Sequence, residues 1–498
     1  MDPSGDTAPP RRTARAALAQ VAEEFREFEP YGGTDAEPYG GTDAEPYGGT
    51  DAEPYGGTDA EVCGGAEEPS SDGDGPLGWP GYGAARQRAA ARTGERESVV
   101  CGTGRVAGVE AVLLSFEFGY LGGSLGERTG ARIEAAHRTA RARRLPVVSI
   151  VATGGSRMQE GMRALVQLQR VARQTSLTRR AGLAQLAVVR DPTTGGGWAT
   201  LAAAADVVLA LPGAQAAFAG SRVRPAGADP AAYTAEAQHA AGHLDQLVPE
   251  AALGRAVGRW LALLTGGGPA PEPAPVPYAL PATDGPGAAA AGALPRTGGE
   301  AVARARAAGP PRAEAYLDAY FDDREEISGD RCSGTDPGMR CGFGRHAGRT
   351  VAFAAQCGTP TRPAGYRTAV RLLRTADRLG IPVLTLIDTP GAANGPEDER
   401  AGTGGAVAET FAAVAETGVP VTSLLIGEGG SGGALALAAP ERLWTTPDSY
   451  FSVIAPESAA AVLKRGPDRV AETAESLRLR PQDAVTLGVA RGVAPPAP

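Results

Sequence analysis

The stretch IGEGGSGGALALAAPE, residues 426–441, places five glycines within the seven positions 427–433. An apolar run precedes these glycines and an alanine-rich run follows them, so the sequence predicts a strand, a glycine loop and a helix. Loops that bind phosphates continue with Lys and then Ser or Thr, whereas here Ala434 and Leu435 follow the last glycine. The dinucleotide-binding pattern fails as well, because no acidic residue stands about 20 positions further on at a strand end. The loop is therefore predicted to hold a different group through its backbone amides.

The pattern of strand, glycine loop and helix occurs four times, twice in each half of the chain. The four stretches are LPVVSIVATGG (145–155), LAQLAVVRDPTTGGG (183–197), IPVLTLIDTPG (381–391) and VPVTSLLIGEGGSGG (419–433). Gly154 and Gly195 are 41 positions apart, and so are Gly391 and Gly432. We interpret this spacing as an internal duplication of an α/β domain with parallel strands, the alternative being two unrelated α/β domains that share a spacing.

One predicted helix has a strongly amphipathic pattern. It covers AGYRTAVRLLRTADRLG, residues 364–380, and its apolar positions recur with helical spacing. The opposite side carries four arginines, which the pattern assigns to a stripe exposed to solvent: Arg367, Arg371, Arg374 and Arg378.

Composition divides the chain into four parts. Residues 29–60 are four copies of EPYGGTDA, a unit too poor in apolar residues to offset its ordering entropy, and residues 1–75 are predicted to be disordered. Residues 264–296 are rich in Pro, Ala and Gly and are predicted to be a linker without a core. The two folded domains are then expected at residues 76–263 and 297–498.

The totals exclude several classes of protein. A net charge of −9 argues against nucleic-acid binding and leaves no basic patch for a membrane surface. Five cysteines without a CxxC pair exclude a four-cysteine zinc site and favour a reducing compartment. There is no signal-peptide pattern and no apolar run long enough to cross a membrane, so we expect a cytoplasmic protein. Lys464 is the single lysine, so a cofactor attached to lysine could use this residue alone.

Glycine loops at strand ends allow backbone N–H groups to converge on one oxygen. Two such donors from adjacent loops form an oxyanion hole, which a helix dipole reinforces. None of the four histidines lies in a glycine loop, and the sequence contains neither a Ser-His arrangement nor a metal cluster: the histidines are His137, His239, His243 and His346. The chemistry is therefore expected to depend on backbone amides, with two facing holes that stabilise two enolate-like anions.

Several long motifs resemble those of one enzyme family. In the first half they are CGTGRVAGVEAVLLSFEFGYLGGSLGERTGARI, ATGGSRMQEG, DPTTGGGWAT and FAGSRV. In the second half they are YLDAYFDDREEISGDR, GYRTAVRLLRTADRLGIPVLTLIDTPGA, IGEGGSGGALALA and YFSVIAPESAAAVL. The chain resembles, over about four-fifths of its length, the carboxyltransferase component of bacterial acetyl-CoA carboxylase, with β and α subunits fused in that order. The resemblance implies two crotonase-like domains in tandem, each a twisted β-sheet flanked by helices.

The resemblance also implies a reaction and its partners. The reaction is transfer of CO2 from carboxybiotin to acetyl-CoA, which gives malonyl-CoA. Because the segment around Lys464 has neither the methionines nor the hairpin that biotinylation needs, the biotin is expected on a separate carrier protein. A biotin carboxyl carrier protein and a biotin carboxylase are the expected partners, the chain is expected to form at least a homodimer, and no metal is expected.

Site residues carried over from the family form two oxyanion holes and a CoA-binding segment. One hole is expected at Gly154, Gly155, Gly195 and Gly196, and the other at Gly391, Ala392, Gly432, Gly433 and Ala434. The segment expected near CoA is Gly122, Gly123 and Ser124, with Arg157 at the edge of the site.

Some features differ from the family or leave alternatives open. The zinc ribbon that begins bacterial β subunits is replaced by the EPYGGTDA copies, and Ala393-Asn394 stands where the family has Tyr-Pro. Glu160 has two interpretations, a general acid or a residue that complements a helix dipole, and we favour the second. The alternative functions are a related decarboxylase that needs no biotin, and a non-catalytic assembly subunit.

Overall fold

The computed structural model describes residues 11–28, 73–281 and 293–497 of the chain. They form two mixed β-sheets, one from each half of the chain. The strands of the first sheet are β1 (Glu24–Glu27), β2 (Val99–Val106), β3 (Val109–Phe116), β4 (Val147–Thr153), β5 (Gln185–Thr194), β6 (Val207–Ala210), β7 (Ala216–Ala217) and β8 (Gln246–Leu247). Those of the second are β9 (Asp323–Ile327), β10 (Met339–His346), β11 (Arg349–Gln356), β12 (Val383–Thr389), β13 (Val421–Gly430), β14 (Leu443–Thr445), β15 (Tyr450–Ser452) and β16 (Gly492–Val493).

Helices flank both sheets. Those of the first half are α1 (Ala14–Val21), α2 (Tyr82–Thr93), α3 (Glu127–Arg143), α4 (Met162–Arg180), the single turn α5 (Gly195–Gly197), α6 (Ala235–Ala240) and α7 (Leu253–Leu264). Those of the second half are α8 (Gly298–Arg306), α9 (Ala313–Tyr320), α10 (Pro363–Leu379), α11 (Pro396–Arg400), α12 (Thr403–Glu416), α13 (Ser431–Leu435), α14 (Pro456–Val462), α15 (Val470–Ser476) and α16 (Pro481–Thr486).

The two sheets have matching topologies. In each, an antiparallel hairpin (β2–β3 or β10–β11) leads into parallel strands, and the central pair is β4–β5 or β12–β13. Val147 of β4 pairs with Gln185 of β5, and Val383 of β12 pairs with Val421 of β13. Each residue of the second pair therefore stands 236 positions after its counterpart in the first pair. The predicted tandem of two α/β domains is confirmed.

The N-terminal region is partly ordered, contrary to the expectation for residues 1–75. Helix α1 buries Leu18 and Val21, and β1 pairs antiparallel with β2 at the edge of the first sheet. The helix forms because its apolar residues recur at positions 14, 17, 18 and 21, which lie on one face. The EPYGGTDA copies lie outside the described residues, so the expectation for them is not tested.

The described part of the predicted linker packs against the second half. Ala274 and Ala279 are buried in the cluster that also contains Phe353, and Ala279 makes a bridge to Pro496. The carbonyl oxygen of Ala274 accepts a hydrogen bond of 2.8 Å from Thr422 Oγ1. The expectation of a linker without a core is therefore wrong for residues 264–281, because small side chains in extended backbone fit closely over the sheet.

The arginines of α10 join the two halves. Arg371 donates to Asp245 Oδ1 at 2.6 Å and Arg378 to Asp206 Oδ1 at 2.6 Å, and both aspartates belong to the first half. Arg367 pairs with Asp330, and of the four arginines in the predicted solvent stripe only Arg374 is mostly exposed. The sequence pattern alone predicts a face exposed to solvent, because a charged helix face has the same pattern whether it meets water or carboxylates.

Arg371 and Arg374 provide a matched test of this junction. We expect Arg371→Ala to lower the free energy of unfolding by about 3 kcal/mol, since it leaves the buried Asp245 with Arg331 as its remaining cation. Arg374→Ala should cost no more than about 1 kcal/mol, because its pair with Glu409 is exposed. Urea unfolding of both variants measures the difference. Equal effects would contradict a junction formed by one side of α10.

Candidate active site

The two glycine loops of the second half touch at the C-terminal ends of β12 and β13. A Cβ built on Gly433 would stand 2.4 Å from the backbone nitrogen of Ala392, so a side chain at this position would not fit between the loops. The N–H of Gly391 donates to Thr389 Oγ1 at 3.2 Å. The N–H of Ala392 has no hydrogen-bond partner within the described residues.

Gly432 borders open space beside these loops. A Cβ built there would meet no atom within 4 Å, whereas Ala434 is buried in the apolar core behind it. Gly432 is the second residue of α13, and N–H groups in the first turn of a helix have no partner within that helix. The N–H groups of Ala392 and Gly432 thus come from two adjacent loops, which is the donor arrangement of an oxyanion hole.

The two glycine loops of the first half are also close to each other, but several of the predicted donor N–H groups already form hydrogen bonds within the chain. A Cβ on Gly195 would stand 3.2 Å from the Cα of Gly155. The N–H of Gly154 donates to the carbonyl oxygen of Gly122 at 2.9 Å, and that of Gly195 to Phe218 at 3.0 Å. The N–H of Gly155 donates to Thr153 Oγ1 at 3.1 Å. Of the four predicted residues, only Gly196 has the position of a first-turn donor that Gly432 has in the second half.

Ser156 is the residue that the sequence interpretation missed. It lies 236 positions before Ala392, and the two residues make equivalent bridges, to Leu125 and to Thr361. The N–H of Ser156, like that of Ala392, has no hydrogen-bond partner in the part of the chain that the structure describes. The equal spacing of 41 positions had aligned Gly154 with Gly391, which is one residue out of register.

The predicted CoA-binding turn lies against the first pair of loops. The backbone of Gly122 and Gly123 has φ values of 68° and 62°, in the left-handed region that glycine enters most easily. A Cβ on Gly123 would stand 2.1 Å from the carbonyl oxygen of Ala152, so the turn packs directly on the end of β4. Gly122 instead borders open space, and its carbonyl oxygen accepts from the Gly154 N–H, so the turn lies beside the first pair of loops.

Arg157 lies beneath this turn and not at the edge of the site as expected. Its guanidinium is 1% exposed, pairs with Glu97, and donates to the carbonyl oxygen of Ser124 at 2.8 Å. Burial alone would lower the pKa of Arg157, but the charge of Glu97 and its hydrogen bond raise it above the ordinary value. A side chain that is engaged by buried partners holds the turn in place and has no donor left for a substrate phosphate.

Glu160 is also a structural residue. Its carboxylate accepts hydrogen bonds from the Tyr82 hydroxyl, from Arg157 Nη1 at 3.1 Å and from the Glu127 N–H at 2.5 Å. The last contact places the negative charge at the N-terminal end of α3, where it complements the helix dipole. The favoured interpretation of Glu160 agrees with this geometry, although the helix is a different one from that considered.

The histidines lie away from the glycine loops. His137 is buried between α3 and α4, where it contacts Thr178, and burial followed by the nearby charge of Arg141 lowers its pKa to about 3. His346 stacks on Tyr320, with ring centroids 3.9 Å apart. His239 and His243 contact Asp245 and Ser333 at the junction between the halves. None of these contacts involves a residue of a glycine loop.

The two pairs of loops in one chain lie far apart. Helix α10 contacts Leu183, Asp206 and Asp245, which lie one or two residues before β5, β6 and β8. These strands therefore begin at α10 and run away from it. Strand β5 has ten residues, so its glycine loop is about 30 Å from the helix. The loops of the second half lie beside the first turn of α10, where Tyr366 contacts Gly433.

An exposed apolar surface adjoins each pair of loops. Beside the first pair, Met158 is 74% exposed and Met162 is 79% exposed, and Leu165 continues the surface along α4. Beside the second pair, Val453 is 81% exposed and follows β15, which pairs with β13 at residues 428–430. Val462 on α14 is 73% exposed. Apolar patches of this kind are typical of surfaces that a partner covers.

Known families match both halves. Residues 81–244 match the family described as carboxyl transferase domain, and residues 297–496 match the acetyl co-enzyme A carboxylase carboxyltransferase-like family. The acetyl-coenzyme A carboxylase carboxyl transferase subunits beta/alpha of Salinispora tropica are 40% identical over 425 residues, which covers 82% of this chain and 75% of the relative. The protein of the same name from Saccharopolyspora erythraea is 38% identical over 424 residues, covering 81% and 72%.

Solved structures share the fold. Transcarboxylase 12S with hydrolysed methylmalonyl-coenzyme A bound gives a TM-score of 0.72 at 20% identity, covering 98% of this chain and 87% of that chain. A single-chain, multi-domain long-chain acyl-CoA carboxylase gives 0.67 at 19% identity, covering 97% and 46%. The expected crotonase-like fold is thereby confirmed. Among the described helices, none is long and apolar enough to span a bilayer.

Proposed function

The chain belongs to the family of biotin-dependent carboxyltransferases that contains the fused beta/alpha subunits of acetyl-CoA carboxylase, and from this premise we propose that it carboxylates acetyl-CoA to malonyl-CoA. Carboxyltransferase activity in a biotin-dependent acyl-CoA carboxylase is the family's function. Acetyl-CoA as the acceptor, the separate biotin carrier and the residues of the site are the parts that we add.

One observation carries the proposal. Each half of the chain presents two N–H groups from adjacent glycine loops, Ser156 with Gly196 and Ala392 with Gly432. Such a pair fits an oxygen that carries negative charge, and it fits both oxygens of this reaction, the thioester oxygen of an acyl-CoA and the ureido oxygen of biotin. We assign one oxygen to each hole.

When bound, carboxybiotin supplies the CO2 and, after its loss, the base that takes the α-proton of the acetyl group. The residues of this chain stabilise the charged oxygens and orient the two substrates. One hole stabilises the charge on the thioester oxygen of the acetyl-CoA enolate, and the other stabilises the charge on the ureido oxygen. The apolar residues beside the loops exclude water, which strengthens these hydrogen bonds.

We further propose that each active site contains the first hole of one chain and the second hole of its partner. Within one chain the first pair of loops lies about 30 Å from α10, whereas the second pair lies beside the first turn of that helix, so an enolate in one hole is too far from CO2 released at the other. The exposed apolar surfaces beside the two pairs of loops would cover one another in a twofold dimer. The dimer would then contain two active sites, each with the first hole of one chain and the second hole of the other.

The carboxyl transfer itself tests the function. Purified chain is incubated with malonyl-CoA and biocytin, and formation of acetyl-CoA is compared with and without biocytin. We expect acetyl-CoA to form only with biocytin, because carboxyl transfer needs the ureido nitrogen of biotin as the acceptor of CO2. Equal CO2 release without biocytin would show the related decarboxylase, and no turnover in either case would show the non-catalytic subunit.

The position of the single lysine leads to a prediction about the carrier. Lys464 follows α14 in an exposed turn with φ 57°, and not in a β-hairpin, where biotin attachment requires the lysine. We therefore expect the purified chain to give no signal on a streptavidin blot after co-expression with a biotin ligase, while a carrier protein in the same cells is labelled. A labelled band at the mass of this chain would overturn the assignment of biotin to a separate protein.

A further inference from the structure

Two buried side chains hold the carbonyl group of Gly433 in the second hole. Tyr366 donates its hydroxyl to this oxygen at 3.0 Å, and Gln356 donates its side-chain amide at 3.1 Å. Both side chains are 0% exposed. A Cβ built on Gly433 would stand 2.7 Å from Tyr366 Oη, so the tyrosine packs directly against the loop backbone.

Gln356 also connects to the other loop of the same hole. Its amide lies 3.1 Å from Thr361 Oγ1. The backbone of Thr361 in turn joins the loop on both sides of Ala392, since its N–H donates to Gly391 at 3.1 Å and its carbonyl accepts from Ala393 at 2.8 Å. Gln356 therefore links the loop that contains Ala392 to the loop that contains Gly432.

Among the described residues, the first hole has no equivalent of this pair. Val112 of β3 pairs with Val147, and Ala352 of β11 pairs with Val383, so Val112 and Ala352 occupy equivalent positions. Four residues further along each strand, Phe116 is therefore the equivalent of Gln356. Helices α3 and α10 begin 236 positions apart, which places Gly130 at the position of Tyr366. A phenylalanine and a glycine offer no side-chain donor to a carbonyl, so the two duplicated holes are supported differently.

We propose that Tyr366 and Gln356 are positioning residues that keep the N–H groups of the second hole aimed at the bound oxygen. The proposal rests on the function proposed above. Hole donors stabilise charge only when they are held within about 0.5 Å of the productive geometry. The Gly433 carbonyl meets that requirement because rotation of its peptide group would break two hydrogen bonds at once, and one of the two donors, Gln356, is also bonded to Thr361 beside the neighbouring loop.

The test compares two buried tyrosines that each lose a hydroxyl group. Tyr366→Phe removes the donor to Gly433, and the control Tyr316→Phe removes an acceptor of the Leu280 N–H, a hydrogen bond that involves neither glycine loop. We expect both variants to lower the thermal midpoint by a similar few degrees. Tyr366→Phe should lower kcat for malonyl-CoA and biocytin about tenfold with KM within twofold, a loss smaller than that of a whole hole donor. Tyr316→Phe should change neither constant.

Backbone hydrogen exchange gives a second readout that needs no turnover. Amides at residues 430–436 should exchange about tenfold faster in Tyr366→Phe than in Tyr316→Phe or the unmodified chain. Gln356→Met, which keeps the volume and removes the donor, should reproduce both effects, and it serves in place of Tyr366→Phe if that variant does not fold. Unchanged exchange at residues 430–436, or a kcat within twofold of the unmodified chain, would overturn the proposal. If the unmodified chain transfers no carboxyl group, the function fails, while the exchange experiment still tests the support of the loop.

Discussion

Gly432→Val should lower kcat for carboxyl transfer by at least about 10²–10³, while the chain remains folded. A Cβ at this position meets no atom within 4 Å, and the backbone is not in the left-handed region, so valine fits without strain. Its methyl groups project into the space beside the Gly432 and Ala392 N–H groups, where the bound oxygen would lie. The variant therefore excludes the ligand, while its donor N–H groups keep their positions. The measurement is kcat with malonyl-CoA and biocytin.

The control for this variant is Gly404→Val. Gly404 lies in α12, and a Cβ there also meets no atom within 4 Å, so both substitutions add the same side chain to a helical glycine facing open space. We expect Gly404→Val to retain the rate of the unmodified chain. If Gly432→Val kept more than a tenth of that rate, the open space beside Gly432 would not be the site of the anion.

The fold could be predicted from the sequence because its strongest signals are local. Apolar strands that end in glycines appear four times, and the structure places all four at the C-terminal ends of β4, β5, β12 and β13. The mean composition of residues 1–75 hides α1, because the EPYGGTDA copies lower the apolar fraction of the whole segment. Its signal was present, since Ala14, Ala17, Leu18 and Val21 have helical spacing.

The relation between the two halves could not be predicted from periodicity. The sequence shows that one side of α10 is polar, but it does not show what lies opposite that side. In the structure Asp206 and Asp245 lie there instead of water. The carboxylates that pair with these arginines are more than a hundred residues away in the chain, and no local pattern connects them. For the same reason the buried pair Arg157–Glu97 was not expected beneath the predicted CoA-binding turn.

The glycine loops lie at the strand ends as expected, and of the four donors proposed above only Ser156 is absent from the residues predicted from the sequence. Counting equal spacings between glycines aligns Gly154 with Gly391, whereas the strand register aligns Gly155 with Gly391 and Ser156 with Ala392. In the same register Ser431 of the second half is equivalent to Gly195 of the first half, and the two residues have similar φ values of 57° and 62°. Glycine identity marks where backbone is unusual, and it does not show which N–H group is left unpaired.

The second large effect is expected when two inactive variants are combined. Gly195→Ala adds a methyl group 3.2 Å from the Cα of Gly155, in backbone with φ 62°, and so disturbs the first hole with the smallest possible side chain. It should be folded but should lose most of its carboxyl transfer. Gly432→Val disables the second hole. If active sites form between chains, a mixed dimer has one site with both defects and one site with none.

Mixing these two variants, after brief unfolding and refolding together, tests most directly the claim that two backbone holes from two chains make each active site. In an equal mixture half of the dimers are mixed and each has one intact site of two, so we predict about a quarter of the rate of the unmodified chain. Each variant refolded alone should remain near its own low rate. A mixture no more active than the average of its separate variants, with mixed dimers demonstrated by differently tagged chains, would contradict the account.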